Sequence, residues 1–210
     1  MYWEFIDDVF RNRKGNLIGN YKKSAIMLLI YEQNGEEYII FEQRAFELKS
    51  QPGDICFPGG KIEQNETPLE TAVRETSEEL GILKENIEIL GEMDYFISPY
   101  GLIMYPFVGR LLSGDIVPNK SEVQRVIMIP LEFFLNSTPQ VHEINIVPEI
   151  KENFPFHLIY GGKKYKFSKG KMSQYFYSYE GYNIWGFTAL ITKRFVDILL
   201  ESKQGLKNQK

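Results

Sequence analysis

The sequence predicts a single α/β domain, mostly sheet in its middle with helices on the outside, and three observations predict it. Apolar runs of strand length recur through the middle of the chain, separated by turn residues. One strongly signalled amphipathic helix interrupts them, and a second long one lies near the end. With 43% hydrophobic and 25% charged residues among 210, the chain can bury a core without staples and is neither disordered nor collagen-like.

Tyr2 to Arg13 places Tyr2, Ile6, Val9 and Phe10 at helical spacing with charge opposite, and reads as a short helix packed on the domain edge. Ser24 to Tyr31 is a continuous apolar run, and Asn34-Gly35 turns it into a second strand, Glu37 to Glu42. Gln43 to Phe57 reads as a loop followed by a short strand. Thr67 to Leu80 is the clearest helix: Thr67 is an N-cap, Pro68 takes the first helical position, Glu70 completes a capping box, and Gly81 stands just past the end. Ile87 to Met93, Leu102 to Leu112 and Arg125 to Ile129 read as strands, and Pro130 opens a short helix. Ser137 to Tyr182 is aromatic-rich, with a hairpin expected around Gly161-Gly162. Phe187 to Glu201 reads as the last helix. Without a linker or repeat, the expected domain is 1–210, with a 22–200 core, an N-terminal helix in 1–14 and a frayed tail over 203–210.

Twenty-four basic against 28 acidic residues give a net charge of −4, which argues against a general nucleic-acid binder. A lone cysteine, Cys56, forms no intramolecular disulfide, and with only His142 and His157 no Cys/His zinc site can be assembled. A reducing, cytoplasmic setting is expected. No stretch approaches the roughly 20 apolar residues of a membrane span, and Asp7 and Asp8 interrupt any export signal. Any metal must therefore be held by oxygen.

On the central helix Leu69, Ala72, Val73, Thr76 and Leu80 form a core-facing stripe, while Glu75, Glu78 and Glu79 share a neighbouring arc. Like charges so spaced repel. Arg74 is in reach of Glu70 and Glu78, which leaves Glu75 and Glu79 without an obvious cation. A solvated acidic face is the ordinary reading of such a cluster. The preceding segment argues otherwise: Phe57-Pro58-Gly59-Gly60 turns backbone carbonyls outward, and Glu63 and Glu66 lead into the same helix. An oxygen-rich, negatively charged pocket suits a hard divalent cation such as Mg²⁺.

Gly60-x5-Glu66-x7-Arg74-Glu75-Thr76-x-Glu78-Glu79-x-Gly81-Ile82 resembles the Nudix box, with Thr76 standing where the pattern has a bulky aliphatic residue. A chance match to its seven fixed identities is on the order of one in a million. Upstream, Arg44-Ala45, Lys49, Gly53 and Phe57-Pro58-Gly59-Gly60 keep every spacing of the pattern of the coenzyme A pyrophosphatase branch. Glu42 replaces its Thr and Lys49 its second Arg, so a phosphate contact at Lys49 loses the bidentate fork. Ile184 to Ala189 is also similar to that branch.

The resemblance implies a Nudix-type α/β/α sandwich around a mixed β-sheet. It also implies metal-dependent hydrolysis of a nucleoside diphosphate linked to another group. Glu75, Glu78 and Glu79 would hold Mg²⁺ or Mn²⁺ with the Gly60 carbonyl, Arg74 would orient the carboxylates, and Glu75 or Glu79 would act as base. Glu122, Glu63 and Glu66 are further candidates as ligand or base. On the coenzyme A branch the substrate is coenzyme A or an acyl-CoA, split to 3′,5′-ADP and 4′-phosphopantetheine, with Arg44, Lys49 and Gly53 near it. Alternatives are a Nudix pyrophosphatase for ADP-ribose or NADH, and a non-catalytic nucleotide sensor. Family members are often homodimers; no nucleic-acid or membrane partner is implied. Lys163, Lys164, Lys166, Lys169 and Lys171 read as a solvated hairpin or a phosphate contact. The aromatics Tyr175, Phe176, Tyr177, Tyr179 and Tyr182 read as packing residues or an adenine stack.

Overall fold

In a computed structural model, which describes residues 1–207, the continuous apolar run becomes strand β1 (Lys22–Gln33). It is apolar throughout because both its faces are buried: Ala25, Met27 and Leu29 point to one side, Ile26 and Leu28 to the other. Strand β2 (Glu36–Arg44) returns antiparallel through Asn34-Gly35, whose φ values of 55° and 81° are those a two-residue hairpin turn needs. Strands β3 (Ile55–Cys56) and β4 (Gly59–Lys61) pair with β2 and β1. Helix α1 (Tyr2–Phe10) precedes β1, and the central helix α2 (Pro68–Leu80) follows β4; after α2 come strands β5 (Ile87–Glu92), β6 (Phe96–Ile97), β7 (Leu102–Leu111) and β8 (Val123–Pro130). The path runs β3-β2-β1-β7-β5, with β8 on β2, and the parallel β1–β7 pairing makes the sheet mixed.

Helix α2 covers the face carrying Ala25, Met27, Leu29 and Ile40. Helices α3 (Leu131–Asn136) and α4 (Gly186–Lys207) cover the other, around Phe41, Phe134 and Ile191. This is the expected sandwich with an addition. A separate antiparallel sheet of β9 (Gln140–Ile146), β10 (Gly170–Tyr179) and β11 (Tyr182–Trp185) packs with α4 on that second side.

Several expectations need correction. Gly161-Gly162 does not turn a hairpin; it belongs to a short 3₁₀ turn within the long β9–β10 connection. The tight hairpin is at Glu180-Gly181, again with two left-handed residues (φ 48° and 86°). On the lysine-rich flank of Gly161-Gly162, Tyr165 and Phe167 alternate with lysines, but they pack on each other at 4.9 Å rather than pairing in a strand. Helix α1 does not pack on the domain edge, since none of its residues is buried. Its apolar side chains, Trp3 and Phe5 among them, share one face of the helix, and that face is exposed. Helix α4 continues through Lys207 instead of fraying at 203, because one internal glycine costs a helix only about 1 kcal/mol. Residues 208–210 of the expected tail lie outside the described residues. Among the described residues no helix is long and apolar enough to cross a membrane.

The capping box on α2 is complete. The Glu70 N–H donates to Thr67 Oγ1 (3.2 Å), and the Thr67 N–H donates to Glu70 Oε2 (2.8 Å). Thr67→Ala is therefore expected to cost about 1 kcal/mol, a fall in Tm of about 2–4 °C by calorimetry. Thr76 is accommodated by donating its buried hydroxyl to the Ala72 carbonyl (2.6 Å), so no polar group is stranded.

Candidate active site

Backbone close approach builds the site. Phe57 stacks on Phe41 at 4.9 Å, and the Met27 N–H donates to the Pro58 carbonyl (2.9 Å), which fixes the turn on the sheet. Gly59 has φ 150°, and a Cβ there would overlap the Ala25 carbonyl oxygen; a Cβ at Gly60 would overlap the Glu75 carboxylate. The two glycines let β4 run directly against α2. The Gly59 N–H then donates to Glu79 Oε2 at 2.8 Å.

Arg74 holds the other carboxylates. Its guanidinium donates to both oxygens of Glu66 (2.7 and 3.0 Å) and lies 3.0 Å from Glu75 and 3.1 Å from Glu78. Thr71 Oγ1 also donates to Glu66 (2.8 Å). The guanidinium, then the hydroxyl, hold the Glu66 carboxyl down to about 2. Glu66, not Glu70, is thus the main partner of Arg74, because Glu70 is engaged in the helix cap. Glu75 is not cation-free either. Glu63 is exposed and contributes its backbone N–H to Glu66 (3.3 Å).

Among the described residues Glu79 has no cation partner, and it is only 4% exposed. Burial, and then the nearby Glu42 carboxylate, push its carboxyl well up. Glu42 is 1% exposed, is raised chiefly by burial, and accepts only the Cys56 thiol (3.5 Å) on one oxygen. The same burial, with Glu42 and Glu79 nearby, raises the Cys56 thiol. Burial raises Glu75 as well. Glu122 is exposed on the loop before β8, where its charge reaches Glu42, Glu75 and Glu79. That loop is anchored by the Ala45 N–H on the Glu122 carbonyl (2.8 Å) and the Asn119 N–H on the Glu79 carbonyl (2.9 Å).

The structure therefore brings Glu75, Glu79 and Gly60 together, while Glu78 stays exposed beside Arg74. Sequence reasoning missed Glu42 as a member of this cluster. Strand alternation carried the signal, since Glu42 follows Ile40 on the face that α2 covers. Among the described residues, no three His, Cys, Asp or Glu side chains are arranged to hold a metal ion as they stand. The donor chemistry nonetheless fits a hard cation. Apart from the Cys56 thiol the side-chain donors are carboxylate oxygens, one of them orphaned, and they outnumber the single cation Arg74.

Beside the cluster lies a cleft of about 670 Å³ with mostly apolar walls, among them Met104, Ile144, Phe176, Trp185 and Phe187. Such a volume suits a small-molecule site. Cys56 lines it and also touches Glu42, so the two regions adjoin. Arg44 lines the cleft too and donates through Nε to the Ser50 carbonyl (3.3 Å), with no ion pair to Glu42. The Gly53 N–H donates to the Arg44 carbonyl (3.2 Å), which joins two expected substrate residues; Lys49 is exposed on the intervening turn. Among the aromatics, Tyr177 packs on Phe134 (5.1 Å) and Tyr179 on Phe133 (4.9 Å), whereas Phe176 faces the cleft, stacked on Trp185 at 6.1 Å. Lys171 pairs with Glu143 (2.6 Å).

Residues 21–165 match the NUDIX domain. The mouse peroxisomal coenzyme A diphosphatase NUDT7 is 31% identical over 137 residues, 64% of this chain and 57% of that protein. The Caenorhabditis elegans peroxisomal coenzyme A diphosphatase ndx-8 is 31% identical over 121 residues, 55% of this chain and 51% of that protein. The mitochondrial Nudix hydrolase 15 of Arabidopsis thaliana is 29% identical over 188 residues, 86% of this chain and 59% of that protein. The chain spans about half the length of these relatives.

Proposed function

Because this chain belongs to the Nudix family, we propose that it is a pyrophosphohydrolase acting on phosphorus-containing acid anhydrides. Its favoured substrate is coenzyme A or an acyl-CoA, split to 3′,5′-ADP and 4′-phosphopantetheine or its acyl form. One observation carries the reading: a buried, cation-poor carboxylate cluster adjoins an apolar cleft across Cys56. A diphosphate ester with a long organic arm has those two needs. The coenzyme A choice is supported by the names of two relatives and by the Arg44…Lys49…Gly53 spacing.

In this reading Glu75 and Glu79 hold the divalent cation, Mg²⁺ or Mn²⁺, with the Gly60 carbonyl beside them and Glu78 and Glu122 at the open side. A bound cation supplies neutralisation of diphosphate charge and acidification of water. Glu79 is the fixed member, pinned by the Gly59 N–H and by burial. Glu75 is half-buried beside Arg74, open enough for water to approach, and it takes the proton of the attacking water. Arg74 keeps Glu75 aimed. Arg44 and Lys49 meet phosphate charge, and the cleft takes the pantetheine arm and excludes water from it. Residues 1–210 act as one domain in a reducing compartment such as the cytoplasm.

A substrate panel tests this reading. With Mg²⁺ or Mn²⁺, coenzyme A is expected to release 3′,5′-ADP, and EDTA to stop it; cleavage of ADP-ribose or NADH but not coenzyme A would overturn the branch assignment. Trp185→Ala removes one face of the Phe176 stack. It is expected to raise KM for coenzyme A by about tenfold, since an aromatic contact contributes on the order of 1 kcal/mol beyond its buried area, while kcat stays within about twofold. An unchanged KM would show that the arm binds elsewhere.

A further inference from the structure

Glu42 is the residue that neither the fold nor the capping and clamping interactions account for. It lies in mid-sheet on β2, paired across to Cys56 on β3 and Val126 on β8, with 1% of its surface exposed. An apolar residue on that face of β2, like its neighbour Ile40, would pack against α2 without electrostatic cost. A buried carboxylate with no cation is expensive. One oxygen takes the weak thiol donor of Cys56; the other, Oε2, is buried with no hydrogen-bond partner. Arg44 is a cation whose charge reaches Glu42, although its guanidinium is turned to the Ser50 carbonyl and makes no ion pair with that carboxylate; against it stand Glu122 of the loop before β8 and Glu75 and Glu79 of α2, all of Glu42's own sign. Repulsion of this kind, built from three separate elements around an orphaned oxygen, is what a cation relieves.

We propose that Glu42 is a ligand of a divalent cation, donating through Oε2 from β2 to a site shared with Glu75 and Glu79. The inference rests on the metal-dependent reading of the cluster but not on the identity of the substrate. Relative to the Thr of the branch pattern, the extra carboxylate adds a hard oxygen donor and a negative charge, which tightens the site.

Manganese binding to EDTA-stripped protein, measured by calorimetry and by loss of the free Mn²⁺ paramagnetic resonance signal, tests it without any substrate. Wild type is expected to bind Mn²⁺, and Glu42→Gln to bind it at least tenfold more weakly or with one ion fewer, as should Glu42→Thr. Wild-type crystals soaked in MnCl₂ provide a measurement independent of any variant: an anomalous peak is expected at coordination distance, about 2–2.5 Å, from a Glu42 oxygen. Mn²⁺ binding unchanged in both variants, or an ion bound by α2 with Glu42 out of reach, overturns the assignment of Glu42 alone. Wild type that takes up no Mn²⁺ overturns the metal reading with it.

Discussion

Glu79→Gln is expected to lower turnover by about 10³-fold or more, the loss of several kcal/mol of transition-state charge stabilisation, and to raise the Tm of the metal-free protein. The two effects share one cause. Glu79 is 4% exposed, pinned by the Gly59 N–H and crowded by Glu42. Gln keeps the shape and the Gly59 hydrogen bond but carries no charge, so it removes both the cation-holding function and the desolvation cost. That cost is on the order of 3 kcal/mol, equivalent to about 5–10 °C in Tm for a chain of this size. Melting in EDTA at an equal or lower temperature would falsify the account of Glu79 as a burden borne for function.

The same burden depends on pH in a fixed direction. Burial, followed by like charge for Glu79, raises Glu42 to about 7 and Glu79 to about 9. Between the ordinary glutamate range and those values the folded state keeps protons that the unfolded state has released. Stability must therefore fall as pH rises through that window. In EDTA the wild-type Tm should decline from pH 5 to pH 9, and Glu79→Gln should flatten the decline. A wild-type Tm that climbs over this range would contradict the burial of these groups.

The elements written in the sequence were those governed by local chemistry. Asn34-Gly35 and the Thr67–Gly81 helix are specified by backbone conformation and capping within a few residues, and they stand where expected. The Gly60–Glu75–Glu79 contact was legible for a related reason: helical spacing places the acids and two glycines bring a strand beneath them. What depended on distant packing was not legible. Glu42 looked like a departure from a pattern because its neighbours come from α2 and from the loop carrying Glu122, far away in sequence. Phe176 and Tyr177 are adjacent on one strand, yet one faces the cleft and the other the core, a division fixed only once α4 and β9 are in position. The Arg74 pairing failed differently, since the capping box takes Glu70 out of competition and leaves Glu66 to bind the guanidinium.

Arg74→Ala is expected to cost catalysis about 10²-fold while leaving Mn²⁺ affinity within about tenfold, a split that separates aiming from holding. The guanidinium bridges Glu66, Glu75 and Glu78 from a position where its side chain and those of Glu66 and Glu75 are roughly one-fifth exposed. Without it Glu75 loses both its orientation and the cation that opposes the rise of its carboxyl on burial, and a base misdirected by even 1 Å can cost about 10²-fold. Stability should fall by about 2 kcal/mol, below the 3–5 kcal/mol of a fully buried pair because these groups are partly wet. Arg74→Lys should recover little, since one ammonium cannot span three carboxylates in the geometry of a planar fork. Glu66→Gln should reproduce part of the Arg74→Ala defect, because Glu66 anchors the guanidinium through two hydrogen bonds. The double variant should then be little worse than Arg74→Ala alone. Additive losses would mean that Glu66 acts on the reaction by a route other than Arg74.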